Sequence, residues 1–377
     1  MNTIKILFLV NDLSYFLSHR LPIAQAAVAE GHKVSVGYGE LGNIAPEVLA
    51  QINFPVYFVP MRRGGTKLAE EFRSIHSIWR LFRSIRPDLV HLVTIKPYLY
   101  GGLAARLTRV PGVVSAVAGL GSVFIHTDRR SRIFRALLYP VYRLAFGHRN
   151  QRVIVQNEDD TKVLVNWGVL DPRKVCLLRG SGVHLAEFTQ FEEPAGIPTV
   201  CFVGRLLRDK GVYDFVAAAR FLRVRGIQAR FIIAGDLDTK NPTGLTEAEL
   251  HALREEGVVE VVGYQTDMPS LYARSHIVCL PSYREGLPKA LIEAAAASRS
   301  VVTTDVPGCR DAIVPKETGL TVPVRSPEKL ADSLQWLIEN PSKRVEMGKA
   351  GRRFAEQEFA IEKIVRRHLD VYHELLG

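Results

Sequence analysis

Two acids, Glu285 and Glu293, and two cations, Arg205 and Lys210, are the residues whose types and spacing best suit a chemistry. The acids stand eight positions apart in SYREGLPKALIEAAAASRS (282–300), with Gly286 and Pro288 between them. Pro288 suits the first turn of a helix, which puts Glu285 in the loop ahead of it and Glu293 inside it. The amides of Gly286, Leu287 and Lys289 then fall near a helix N-terminus, where an anion is stabilised. Eight helical residues turn through about 800°, some 80° off a shared face, so the two acids are not an acid–base couple. They can hold opposite ends of one long ligand, because a carboxylate accepts hydrogen bonds from hydroxyl groups. The plainer readings are a helix cap for Glu285 and a solvated acid for Glu293, the second weakened by the small-residue run AAAAS that follows.

The stretch VGRLLRDKGVYDF (203–215) sets Gly204, Arg205, Lys210 and Gly211 in a turn between a strand and a helix. Two fixed cations at a strand's carboxyl end suit a diphosphate, whose charge they offset as it leaves. A solvated basic turn is the alternative.

These residues need a scaffold, and the hydrophobic pattern supplies one. KILFLV, KVSVGY, PVYFVP, DLVHLV, VVSAVA and RVIVQ read as strands alternating with helix-like segments at 18–30, 67–85, 98–108, 131–147 and 158–167. The alternation restarts with TVCFVG, RFIIAGD, VVEVVG, HIVCLP, SVVTTD and GLTVPV. Near-continuous β-branched runs alternating with helices predict parallel sheets buried on both faces. The 377 residues fit two such α/β domains, doubly wound and Rossmann-like. The break is expected in QFEEPAGIP, giving domains 1–190 and 191–360, with a helix at 361–377 that can pack in either and is a candidate to return to the first. In such sheets ligands bind outside the carboxyl ends of the strands.

Several classes are excluded. No apolar run approaches the ~20 residues of a membrane span. IKILFLVND reads as a buried first strand rather than a signal peptide. Cys176, Cys201, Cys279 and Cys309 form no C-x-x-C pair, so neither a zinc framework nor disulfides are expected, and a reducing cytosol is the default. The first strand is followed by NDLSYFLSHRLP, without the G-x-G-x-x-G of a dinucleotide enzyme, and no Walker A motif occurs.

The net charge of +10 is uneven: residues 1–150 hold 19 Lys and Arg against 8 Asp and Glu, while 151–377 hold 30 against 31. The basic half favours an anionic partner. Arg129, Arg130, Arg132 and Arg135 are interleaved with Phe134 and Leu138 at helical spacing, and Pro140 should kink that helix. The pattern suits an anionic membrane leaflet or a helix packed on its own sheet; nucleic acid is disfavoured, since no stacking motif accompanies the charge. His19, Arg20 and Lys96 follow strands of the first domain and are candidates to face an acceptor phosphate, as are Gly119 and Gly121 of AGLGSVF to line that site.

The elements VGRLLRDKG and PSYREGLPKALIEA, with VVTTDVPGCRDAI and TGLTVPV downstream, resemble the Arg…Lys element and E-x7-E signature of the retaining glycosyltransferases of family 4. The resemblance spans essentially the whole chain and is strongest over 199–324. It implies a GT-B fold: two Rossmann-like domains facing a cleft, the first binding acceptor and the second the nucleotide sugar. It further implies that Arg205 and Lys210 contact the donor diphosphate, Glu285 the sugar hydroxyls and Glu293 the ribose. Gly204, Gly286 and Leu287 would complete the donor site, and Glu285, Arg205 and Lys210 would carry the catalysis. HLVTIKPYLYGGLAAR, AGLGSVF and GSGVHLAEF look most like bacterial N-acetylhexosaminyltransferases of lipid-linked oligosaccharide and O-antigen assembly. That implies a UDP-sugar donor, a polyprenyl-diphosphate-linked acceptor, the inner face of the cytoplasmic membrane, and neither cofactor nor metal. Two departures stand out: AVAGLGS lacks the histidine of the family's T-x-H-G-like element, and His184 takes the aspartate place of its G-V-D. A nucleotide-sugar epimerase and a non-catalytic sugar-nucleotide or lipid-binding protein are the competing readings.

Overall fold

The structure, a computed structural model, describes residues 3–42, 52–62, 67–120, 129–189, 192–239 and 241–377, with 44, 49 and 124. The chain divides into two compact units, Met1–Ser181 with Glu362–Gly377, and Gly182–Ile361.

In the first unit β1 (Lys5–Asp12), β2 (Lys33–Glu40), β3 (Val56–Phe58), β4 (Leu89–Val93), β5 (Gly112–Val117), β6 (Gln151–Val155) and β7 (Val175–Leu177) form one sheet. Its order is β3-β2-β1-β4-β5-β6-β7, and every pairing is parallel. Parallel strands need crossovers that cover both faces, which is why β4 is buried along its whole length. One face packs against Ile78 and Phe82 of the helix Leu68–Ile85 and Tyr142 of the helix Arg129–Ala145. The other packs against Leu13, Phe16 and Ile23, and against Leu369, Tyr372 and Leu375 of the C-terminal helix Ile361–Leu376.

The expected helix at 18–30 is in fact two, Leu13–His19 and Leu21–Ala29, parted at Arg20, with Pro22 in the first turn of the second. Asp12 starts the first by accepting the amides of Ser14 and Tyr15. The segment expected at 98–108 opens with a π-helical turn, Pro97–Gly101, before the α-helix Gly102–Thr108.

In the second unit β8 (Thr199–Val203), β9 (Arg230–Ala234), β10 (Glu260–Gly263), β11 (Ile277–Leu280), β12 (Ser300–Thr304) and β13 (Gly319–Val322) form a parallel sheet of order β10-β9-β8-β11-β12-β13. This unit starts at Gly182, ahead of the 190/191 break read from composition. The reason is local. Val183 exchanges backbone hydrogen bonds with Phe359 and Ile361, and Val183 and Phe188 belong to the second core.

Candidate active site

In the second sheet the strand order reverses between β8 and β11, which lie side by side. A crevice opens at the carboxyl ends of such a pair. Both chemically suggestive stretches leave the sheet at this point: residues 204–211 follow β8 and residues 281–288 follow β11. The two loops are tied backbone to backbone, the Tyr283 amide donating to the Asp209 carbonyl at 2.8 Å. Gly211, at φ +74°, lies so near Pro281 that a Cβ there would come 2.1 Å from its carbonyl oxygen. No other residue fits. Gly308 draws the loop after β12 equally close, since its Cβ would meet the carbonyl oxygens of Gly286 and Glu285 at 2.4 and 2.6 Å.

This packing delivers Lys210, the last residue of a short 3-10 turn, to Glu285. Glu285 Oε1 accepts from Lys210 Nζ and, at 2.7 Å, from Ser282 Oγ. Ser282 is fixed in turn, its carbonyl accepting from Thr304 Oγ1. Both charged side chains are largely shielded, Lys210 at 20% and Glu285 at 12% exposure, so water screens them weakly. Burial first, and then the Glu285 charge, push the nearby Cys309 thiol up to about 12. Arg205 is half exposed, with Nη1 2.5 Å from Asp238 Oδ2. Each cation expected to meet a diphosphate is therefore held by an acid, Lys210 by Glu285 and Arg205 by Asp238.

Pro288 is the N-cap of the helix Lys289–Ala296, which therefore starts one residue later than the proline ring suggested. The Leu287 side chain is buried in the second core, which leaves its backbone as the part able to meet a ligand. Glu293 is buried within the helix. Tyr272 Oη donates to its Oε2 at 3.1 Å, and Lys289 Nζ lies 3.3 Å from its Oε1. Desolvation raises the Glu293 pKa, against the opposing pull of Lys289 and Tyr272. A buried carboxylate of this kind seeks further hydrogen-bond donors, which vicinal hydroxyls supply.

Comparison with known proteins converges on one family. Residues 185–354 match the model described as glycosyl transferases group 1, and residues 5–157 match the one described as glycosyl transferase 4-like. The chain belongs to the family 4-like glycosyltransferases. Over 310 residues the transferase is 27% identical to the N,N'-diacetylbacillosaminyl-diphospho-undecaprenol alpha-1,3-N-acetylgalactosaminyltransferase of Campylobacter jejuni, covering 79% of this chain and 80% of that one. It is 24% identical to the UDP-Gal:alpha-D-GlcNAc-diphosphoundecaprenol alpha-1,3-galactosyltransferase of Escherichia coli, over 85% and 84% of the two chains. The fold matches that of an Anabaena protein solved with UDP and glucose, with a TM-score of 0.78 at 18% identity, over 98% and 99% of the chains. The fold is GT-B.

The transferase's first unit treats its candidate residues differently. His19 ends its helix stacked on Tyr15, with Nδ1 2.6 Å from Ser18 Oγ. Arg20 is only 2% exposed, Nη1 donating to the His19 carbonyl at 2.9 Å. It is buried beside His91 and His368. Lys96 Nζ sits 2.6 Å from Glu71 Oε1, whose Oε2 accepts from Tyr100 at 2.6 Å. Gly119 follows β5 at φ +124°, and Gly121 lies outside the described residues. His184 is exposed.

The basic helix Arg129–Ala145 turns Tyr142 and Ala145 into the core and presents Ile133, Phe134, Leu137 and Leu144 to the outside. Leu138, grouped with Phe134 by spacing alone, packs partly against the core, while Arg129 and Arg132 are exposed and Arg135 is half-buried. Pro140 lies inside this helix. Among the described residues no helix is long and apolar enough to cross a membrane.

Sequence reasoning did not single out Ser282, Asp238, Tyr272 or Gly308. Ser282 precedes Glu285 by three positions, a spacing that could have flagged it. Asp238 and Tyr272 carry no local signal, because only the sheet order brings them to their partners.

Proposed function

We propose that the enzyme transfers a sugar, an N-acetylhexosamine in the leading reading, from a UDP-sugar to a polyprenyl-diphosphate-linked saccharide with retention of anomeric configuration. The observation that carries this is the Lys210–Glu285 pair, seated where the strand order reverses beside the N-terminus of the helix Lys289–Ala296. The printed names of the relatives, both acting on undecaprenyl-diphosphate-linked sugars, supply the substrate class. They do not favour an epimerase or a binding protein.

The pairing suggests how the donor is taken up. An arriving diphosphate competes with Glu285 for Lys210 and with Asp238 for Arg205. Glu285 then has its oxygens released toward the sugar hydroxyls while the cations and the first-turn amides hold the phosphates. Glu293, beside Tyr272 and Lys289, takes the ribose hydroxyls. As the bond from the anomeric carbon to the phosphate oxygen breaks, negative charge grows on the diphosphate, where Arg205 and Lys210 stabilise it. The acceptor hydroxyl attacks from the same face and its proton passes to the departing phosphate. No metal is required in this scheme. The helix Arg129–Ala145, with arginines beside exposed Phe134 and Leu137, suits docking on an anionic inner leaflet, where a polyprenyl acceptor resides.

The test is transfer itself. Purified protein is given radiolabelled UDP-N-acetylhexosamines and a short-chain polyprenyl-diphosphate sugar, and label is scored in the organic phase. Acceptor-dependent transfer is expected. Turnover of UDP-sugar to an epimer without acceptor would overturn the reading.

A further inference from the structure

We propose that Glu30, His32 and His373 form a binding site for a divalent transition-metal cation, best fitted by Zn²⁺, that fastens the C-terminal helix to the turn ahead of β2. The three side chains offer one ligand atom each, all within 4.8 Å of one another. Glu30 closes the helix Leu21–Ala29 as its C-cap, and His32 follows two residues later, directly before β2. His373 lies in the last turn of the helix Ile361–Leu376, in the same unit. Its Nε2 is 3.2 Å from Glu30 Oε2, and His32 Nε2 is 3.8 Å from the same oxygen. Ligand atoms around tetrahedral zinc stand about 3.4 Å apart, given bonds near 2.0–2.1 Å. Half-exposed Glu30 and His373 can close the remaining gap by side-chain rotation, without disturbing His32.

An ordinary ion pair does not explain the cluster. His373 Nε2, although 3.2 Å from Glu30, makes no hydrogen bond, and His32, with its side chain only 3% exposed, has no hydrogen-bond partner at either ring nitrogen. Buried polar groups are almost always partnered, so an imidazole left bare and aimed at a carboxylate points to a ligand. Two imidazoles and one carboxylate suit Zn²⁺ with water completing the shell, and are too nitrogen-rich for Mg²⁺ or Ca²⁺.

The turn that presents Glu30 and His32 is itself rigid. The Glu30 amide donates to Ala26 at 3.0 Å, and the His32 amide to Ala27 at 3.0 Å. A cation here would add a cross-link between the start of the chain and its end. It lies in the first unit, whereas the donor residues lie in the second, so its role is structural.

The experiment uses the full chain, stripped with a chelator and dialysed. Titration with Zn²⁺ against a chromophoric competitor should give one ion per chain, and Co²⁺ should produce the visible absorption of a four- or five-coordinate site. Zn²⁺ should raise the Tm by several degrees. His373→Gln, at a half-exposed position that leaves the fold intact, should lose about tenfold or more in affinity together with the thermal shift, and Glu30→Gln should weaken both. Unchanged Zn²⁺ affinity in His373→Gln, or a wild-type Tm indifferent to Zn²⁺, would overturn the proposal. None of these readouts depends on a sugar substrate, so they stand or fall apart from the transfer assay.

Discussion

At the switch point of the second sheet, between β8 and β11, cations and acids meet one another in pairs: Lys210 with Glu285 and Arg205 with Asp238. At the equivalent point of the first sheet, between β1 and β4, the two candidate cations part ways. Arg20 is buried close to His91 and His368, whereas Lys96 pairs with Glu71 at 16% and 18% exposure, much as Lys210 pairs with Glu285. The same strand logic thus carries two uses of charge. In the second unit each charge has a partner that an incoming anion can displace, which suits a site that must bind and release a diphosphate. In the first unit Arg20 is instead enclosed beside two buried histidines.

Breaking the Lys210–Glu285 pair tests that contrast most severely. Lys210→Ala and Glu285→Ala should each lower kcat by roughly 10²–10³-fold, the scale for removing one group that stabilises developing charge. Lys96→Ala should leave kcat within a few-fold, and a loss as deep as that of Lys210→Ala would erase the distinction between the units. Next in size, changing Arg129, Arg132 and Arg135 together to Gln should weaken binding to anionic vesicles roughly 100-fold, at about 1 kcal/mol per arginine near the surface. Unchanged sedimentation with the vesicles would return that helix to a purely internal role.

The buried histidines sharpen the comparison through pH. Burial lowers the His368 pKa to about 3, and His91 is lowered as well. A histidine depressed in the folded state contributes stability that is complete above its unfolded pKa, near 6.5, and is lost as pH falls toward the folded value. Between pH 7 and 5, His368 alone should remove roughly 2 kcal/mol from the first unit, read as a falling urea midpoint. A midpoint flat across that range would show that the ring titrates normally. The smallest expected effect is that of excess EDTA on initial transfer rates, which should be none within error. Loss restored by Mg²⁺ would sink the metal-free scheme at the diphosphate.

Much of this was legible in the sequence because the signals were local. Near-continuous apolar runs such as HIVCLP are what a strand buried on both faces looks like, and Pro288 marked the helix start to within a residue. Gly211 was legible as part of a turn between strand and helix, and the structure holds it at φ +74°. What was hidden was partnership across the sheet. Nothing near Arg20 in sequence indicates that the C-terminal helix will bury it beside His368, and nothing near Arg205 indicates Asp238. Likewise, spacing put Phe134 and Leu138 on one face, whereas the fold leaves one outside and tucks the other against the core.

The return of the last helix to the first unit has a consequence for how the enzyme is made. Leu369, Val371, Tyr372 and Leu375 complete a core begun by Ile6 and Phe8, so the apolar face they cover stays open until those residues leave the ribosome. All of Gly182–Ile361 must be synthesised first, a wait of roughly 10–40 s at about 5–20 residues per second. The second unit can close as it emerges, while the first, although its strands come earlier, is finished last. A premature stop ahead of Leu369 would therefore strike the first unit.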